Sequence, residues 1–125
     1  MSEAVIGACV EVHRRVGPGL LEAVYERCLC HELGLRGIDF ARQVTVPVVY
    51  KGLELDATYR IDLVVEKKLI VELKSVEKLL PVHYAQLRTY LRVSGIYAGL
   101  VVNFNVALLR QGLRRLTPTT FDFLL

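Results

Sequence analysis

Arg60-Ile61-Asp62-Leu63-Val64-Val65-Glu66-Lys67-Lys68-Leu69-Ile70-Val71-Glu72-Leu73-Lys74 is the stretch whose reading decides the fold. Two aliphatic runs flank Glu66-Lys67-Lys68, which predicts two β-strands folded into a hairpin. A three-residue loop pairs Val65 with Leu69 and sets Asp62 opposite Glu72. Directly opposed residues of an antiparallel pair have Cβ atoms about 4.5–5.5 Å apart. Two carboxylates that close repel each other unless a cation sits between them. A two-residue loop would set Asp62 opposite Leu73 and break the arrangement, because a one-residue slip moves every side chain to the other face. Glu72 and Lys74 share one face and Leu73 points to the other.

Charged groups in so apolar a run are costly to bury without partners or a metal. Magnesium is the natural cation, with manganese as its substitute: it is hard, prefers oxygen ligands and is held by one or two carboxylates while keeping several waters. Lys74 beside it would position a water or stabilise negative charge developing on a phosphate. An exposed hairpin with a cross-strand ion pair uses the same letters, and for an isolated Asp…Glu-x-Lys it is the commoner outcome.

The chain has 125 residues, enough for a single domain over 1–125 with one sizeable core. Its hydrophobic fraction is 53%, slightly above the soluble norm, yet no apolar run approaches the roughly 18 residues a membrane span needs. The acidic start Met1-Ser2-Glu3 does not read as a signal peptide, so the expected location is cytoplasmic. Net charge is +3, which permits nucleic-acid binding without demanding it. Arg110, Arg114 and Arg115 form a basic cluster near the C-terminus. Three cysteines, Cys9, Cys28 and Cys30, argue against a disulfide framework. Cys28 and Cys30 lie about 200° apart on a helix and cannot share one metal, so all three are read as packing residues. The apolar ending Phe121-Asp122-Phe123-Leu124-Leu125 suits a subunit interface or a buried tail, and a homodimer is compatible with it.

The order of elements reads α-α-β-β-β-α-β. Ser2 is expected to cap a first helix to about Val16, with Val5, Cys9, Val12 and Val16 on one face. Gly17-Pro18-Gly19 interrupts it. A second helix is expected from about Leu20 to Leu33, its apolar face holding Leu21, Val24, Tyr25, Cys28 and Leu29. Glu32 projects into the middle of that face and Glu22 onto its edge, from where Glu22 leans towards Asp62 and Glu72. An acid in a first helical turn is also favoured by the macrodipole alone. Strands follow at Gln43–Tyr50, Leu53–Val65 and Leu69–Ser75, with Pro47 marking an edge or a bulge. Pro81 opens a third helix to about Val93, and Tyr97–Asn103 is a strand covered on both faces. Leu113–Leu116 is an edge strand or a turn. The expected class is α/β, a mixed sheet flanked by helices.

On the third helix His83, Gln86 and Tyr90 fall at i, i+3 and i+7 and form one stripe. Gln86 and Tyr90 are placed to bridge the acidic site to a phosphate or base. An ordinary amphipathic helix with its polar stripe in water has the same spacing.

Taken together these pieces resemble a known family. Gly19-Leu20-Leu21-Glu22-Ala23-Val24-Tyr25 matches the Gly-x-x-Glu-x-x-Tyr signature of the GxxExxY proteins, small bacterial and archaeal members of the PD-(D/E)XK nuclease superfamily. The resemblance runs from about Ile6 to Leu116 and includes Arg42-Gln43, Tyr50-Lys51-Gly52, Asp62, Glu72-Leu73-Lys74, Gln86, Tyr90-Leu91 and Asn103-Phe104-Asn105. It implies the restriction endonuclease-like core. It also implies that Asp62 and Glu72 bind metal with the Leu73 carbonyl as a further ligand, that Lys74 is catalytic and that Glu22 is an acid supplied by a core helix. Gln86 and Tyr90 match the Gln-x-x-x-Tyr element of the exonuclease-like branch.

The leading expectation is a Mg²⁺-dependent nuclease acting on DNA, or RNA as the lesser choice. A catalytically inactive module of the same fold, binding nucleic acid or a protein partner, is the alternative. A dimeric protein whose acids only form ion pairs is the third.

Overall fold

A computed structural model describes residues 1–118. The apolar ending Phe121–Leu125 lies outside the described residues. The elements are α1 (Ser2–Val16), α2 (Glu22–Leu35), β1 (Phe40–Tyr50), β2 (Leu53–Val65), β3 (Leu69–Lys74), α3 (Pro81–Ser94), β4 (Ala98–Asn103), a short 3₁₀ turn (Leu109–Gly112) and β5 (Leu113–Leu116). The sheet order is β1-β2-β3-β4-β5. Every neighbouring pair is antiparallel except β3 and β4, which run parallel. A parallel pair needs a crossover, and α3 supplies it. This is the α/β mixed sheet flanked by helices that the letters imply.

Both hairpin turns follow from local chemistry. Lys51 and Gly52 both take positive φ between the paired ends Tyr50 and Leu53. Glu66 and Lys67 do the same, and Lys68 N–H donates to Val65 O at 2.9 Å. Two consecutive left-handed residues make the type I′ turn, whose twist matches that of the flanking strands. Val65 pairs with Leu69, as the three-residue reading requires. Pro47 stands on edge strand β1, where the register shifts between Pro47 and Val49.

Two apolar layers sandwich the sheet. On one side α1 and α2 pack Val5, Cys9, Val12, Tyr25, Leu29 and Leu33 against Leu63, Val65, Val71, Leu73, Leu100 and Val102. On the other, α3 packs Leu87, Tyr90 and Leu91 against Ile61, Ile70 and Val101. Strands β3 and β4 are thus covered on both faces, which explains their near-continuous aliphatic letters. Each fully buried leucine contributes about 1.5–3 kcal/mol of transfer free energy. Gly99 lets α3 come close: a Cβ there would stand 2.7 Å from Leu87 Cδ1.

Several helix expectations are corrected. Ser2 lies inside α1 rather than capping it, Met1 holds the cap position and no side-chain cap bond forms. Val16 is exposed. The second helix starts at Glu22, not Leu20, and its buried stripe is Tyr25, Glu26, Leu29 and Leu33. Leu21 and Val24 face outward, at 76% and 40% exposure. Glu32 is not inside the core face; it pairs with Arg36 at 2.7 Å on a partly exposed flank. The apolar letters of this helix span too wide an arc to fix its rotation, and an acid, Glu26, occupies an inward position. All three cysteines are unpaired thiols that pack on the α1/α2 layer, and burial pushes the Cys9 thiol up to about 12.

The alternation of faces breaks at one place. On β2, Tyr59 and Ile61 belong to the α3 layer, whereas Leu63 and Val65 belong to the α1/α2 layer. On β1, Phe40 packs with α1/α2, whereas Val44 and Val46 pack with α3. Residues two apart on a regular strand share a face, so both strands rotate at the Gln43/Asp62 position. Gln43 has φ 51°, the left-handed region, and the β1–β2 ladder passes from Arg42↔Leu63 to Val44↔Ile61 without pairing them.

Candidate functional site

The kink opens the sheet where the acids lie. The β2–β3 ladder runs through Val65↔Leu69, Val64↔Ile70 and Leu63↔Val71. The next position in register sets Asp62 against Glu72, and there side chains take over the hydrogen bonding. Asp62 N–H donates to Glu72 Oε1 at 2.9 Å, and Leu73 N–H donates to Asp62 Oδ2 at 2.9 Å. Glu72 is 3% exposed and shares its face with Ile70, on the α3 side. Asp62 lines a pocket of about 370 Å³ together with Glu22, Glu26, Arg42, Gln43 and Arg60.

The electrostatics are those of a site under strain. Burial pushes the Glu72 carboxyl up to about 8, and the charge of Asp62 pushes in the same direction. Asp62 is raised too, by burial first and then by Glu26 and Glu22, against the Leu73 N–H and Lys74, which lower it. Two adjacent carboxyls that resist ionising together are a recognised mark of functional sites.

Lys74 ends β3, half-buried, and its Nζ donates to Gln86 Oε1 at 3.0 Å. Tyr90 is 5% exposed, its ring edge-on to Tyr59 at 5.9 Å. Burial and then the charge of Glu72 raise its phenol, while a hydrogen bond with Gln86 opposes them. The third helix therefore brings Gln86 to Lys74 and Tyr90 towards Glu72. His83 lies outside this group and accepts the Leu80 N–H at its Nδ1, 2.9 Å away. Glu22 is exposed at the first residue of α2, on the rim of the same pocket as Asp62.

The start of α2 is tied to the strand ends. Tyr25 OH donates to Gly17 O at 2.6 Å and accepts from Leu20 N–H at 3.1 Å. Its ring stacks on Phe104 with centroids 4.5 Å apart. Ser75 Oγ donates to Leu20 O at 2.5 Å. Asn103, at the end of β4, accepts from Val76 N–H and donates to Val76 O. These bonds hold the helix carrying Glu22 and Glu26 against the end of β3.

Three residues at this place received no role from the letters. Glu26 is buried, and its Oε2 accepts from Arg42 Nη2 at 2.9 Å and Nε at 3.2 Å, while its Oε1 accepts from Gln43 Nε2 at 2.5 Å. Glu26 stands one turn after Glu22, so the spacing that pointed to the first acid pointed to the second. A larger hollow, about 690 Å³, lies between α1 and residues 107–110 and holds none of these acids.

The donor set suits a hard cation. Each carboxylate commits one oxygen to a backbone N–H, which leaves Asp62 Oδ1 and Glu72 Oε2 without a backbone donor among the described residues. Among the described residues no three His, Cys, Asp or Glu side chains form a closed ligand cluster. Two carboxylates completed by waters is the mode magnesium favours.

A protein-family model for the PD-(D/E)XK nuclease superfamily matches residues 1–116. The chain belongs to the PD-(D/E)XK nuclease superfamily. No curated protein and no solved structure matches it significantly. Membership supports a nuclease, and PD-(D/E)XK nucleases generally use divalent metals. No described helix is long and apolar enough to cross a membrane.

Proposed function

We propose that the protein is a Mg²⁺-dependent nuclease hydrolysing phosphodiester bonds in DNA. The observation that carries this reading is the interlock of Asp62 and Glu72, two raised carboxyls fixed by each other's strand beside Lys74. Asp62 and Glu72 would hold the metal, with the Leu73 carbonyl and Glu22 as further oxygen donors. A bound divalent ion supplies a water of lowered pKa and neutralises charge on the scissile phosphate.

The chain's own groups do the rest. Glu72, raised by burial, would have to release its proton to solvent to serve as a ligand, and Asp62 and Glu72 would then hold the ion as two carboxylates. Lys74 Nζ spends one N–H on Gln86 and among the described residues has two left, for the attacking water and for the oxygen on which charge develops. Gln86 holds Lys74 against free rotation, and Tyr90 walls the acid side from solvent.

The test is cleavage of labelled single-stranded, duplex and branched DNA and of RNA, in Mg²⁺, Mn²⁺ or EDTA. Metal-dependent cutting of DNA by wild type and none by Glu72→Ala is the expected result. Equal cutting by wild type, Glu72→Ala and Lys74→Ala would refute the assignment. A folded wild type that cuts no substrate would return weight to an inactive binding module.

A further inference from the structure

We propose that Arg42, presented by the kink at Gln43 and steadied by Glu26, grips a backbone phosphate of the nucleic-acid strand beside the acids. This rests on the nuclease reading above and adds a substrate contact to it.

The backbone geometry comes first. Consecutive side chains of a strand point to opposite faces. Arg42 and Gln43 nevertheless both reach the Glu26 carboxylate. The left-handed Gln43 is what turns both towards α2, and it does so in register with Asp62. A long side chain at positive φ is strained, and such strain persists where the surroundings enforce it, often at working sites.

The ion pair is lopsided in a way that neutralisation alone does not require. The Glu26 side chain is 10% exposed and that of Arg42 is 60% exposed. Two guanidinium nitrogens, Nε and Nη2, converge on the single oxygen Oε2. Nη1 makes no hydrogen bond among the described residues and belongs to a side chain that stands at the pocket mouth with Asp62. A guanidinium stays charged at all working pH values, and its planar fork suits phosphate oxygens. Glu26, its two oxygens already engaged, sets the direction of that fork. The acids alone would repel a polyanion, and Arg42, with Arg60 on the same lining, supplies the positive charge that admits a strand.

The experiment compares wild type with Arg42→Gln and, as control, Arg36→Gln. Arg36 forms a similar pair with Glu32 at the far end of α2. Binding of fluorescein-labelled duplex and single-stranded DNA is followed by anisotropy in EDTA over a salt series, and KM and kcat are measured in Mg²⁺. Loss of one phosphate contact should flatten the slope of log K against log salt by about 0.9 for duplex or about 0.7 for a single strand. KM should rise about tenfold with kcat much less affected, as one charge-assisted bond is lost. Arg36→Gln should behave as wild type. Arg42→Lys keeps the charge but not the fork, so it should restore the slope and leave KM raised; it also carries the test if Arg42→Gln does not fold. A wild-type slope and KM in the Arg42 variants, with a wild type that binds or cuts DNA, would overturn this assignment and leave the nuclease reading standing. A wild type that neither binds nor cuts would overturn both.

Discussion

The amide of Asp62 donates to the carboxylate of Glu72 across the strand pair, at the point where the backbone ladder stops. One consequence is a stability that depends on pH. The folded chain keeps the Glu72 proton up to about 8, against an ordinary value of 4.5 once unfolded. Between those values the native state binds more protons than the unfolded one, so stability falls as pH rises. Asp62, also raised, acts in the same direction. Melting of the EDTA-treated protein should drop steadily from pH 5 to pH 8, and Glu72→Gln should flatten the drop. A wild-type melting temperature that rises across this window would contradict the geometry.

Metal binding should reverse that trend. An ion that displaces the Glu72 proton binds more tightly as pH rises, and it stabilises only the folded state. The shift in melting temperature with saturating Mg²⁺ should be larger at pH 8 than at pH 6. Calorimetry in two buffers of different ionisation enthalpy should register proton release near pH 7. Asp62→Asn should lose most of the shift; an undiminished one would remove Asp62 from the ligands.

Lys74 and Gln86 should separate in kinetics. Lys74→Ala removes a donor aimed at developing charge, which in comparable sites lowers kcat about 10²–10³-fold. Gln86→Leu leaves the lysine in place without its 3.0 Å bond and should cause a smaller fall in kcat with little change in KM. Equal losses in the two variants would mean that Gln86 acts directly on the substrate.

Tyr25→Phe keeps the stack on Phe104 and deletes both bonds to the Gly17–Leu20 loop. Each bond contributes about 0.5–1.5 kcal/mol, so urea denaturation should register a loss of about 1–3 kcal/mol. A variant as stable as wild type would show that the loop holds itself.

Gly99→Ala would push the α3 helix off the sheet through Leu87. Overpacking of this kind costs about 1–3 kcal/mol. Gln86 and Tyr90 ride on that helix, so cleavage should fall along with stability; undiminished cleavage in Gly99→Ala would show that the Leu87 side chain gives way without moving the helix.

The hairpin was legible because two aliphatic runs flank the three charged letters Glu66-Lys67-Lys68, although the choice between a two-residue and a three-residue loop rested on the packed register that pairs Val65 with Leu69. The crossover was legible in Pro81 and in the apolar run of β4. The rotation of α2 was not, since Leu21 and Val24 are as apolar as Leu29 and only the packed structure shows which of them meets the sheet. Glu26 was passed over because an acid on a helix is ordinarily solvated; its partners come from β1, sixteen and seventeen positions on. The kink at Gln43 has no letter of its own. Glycine or asparagine would have marked a left-handed residue, and glutamine does not.

Strand β3 lies inside the sheet with Leu69 to Leu73 all buried, and Glu72 is part of it. Amides in such a strand reach solvent only when the whole fold opens. Hydrogen exchange at Val71, Glu72 and Leu73 should therefore proceed at the global unfolding rate, while the exposed tip around Lys51 and Gly52 exchanges freely. Heat inactivation should then coincide with global melting instead of preceding it, because this site has no separate way to come apart.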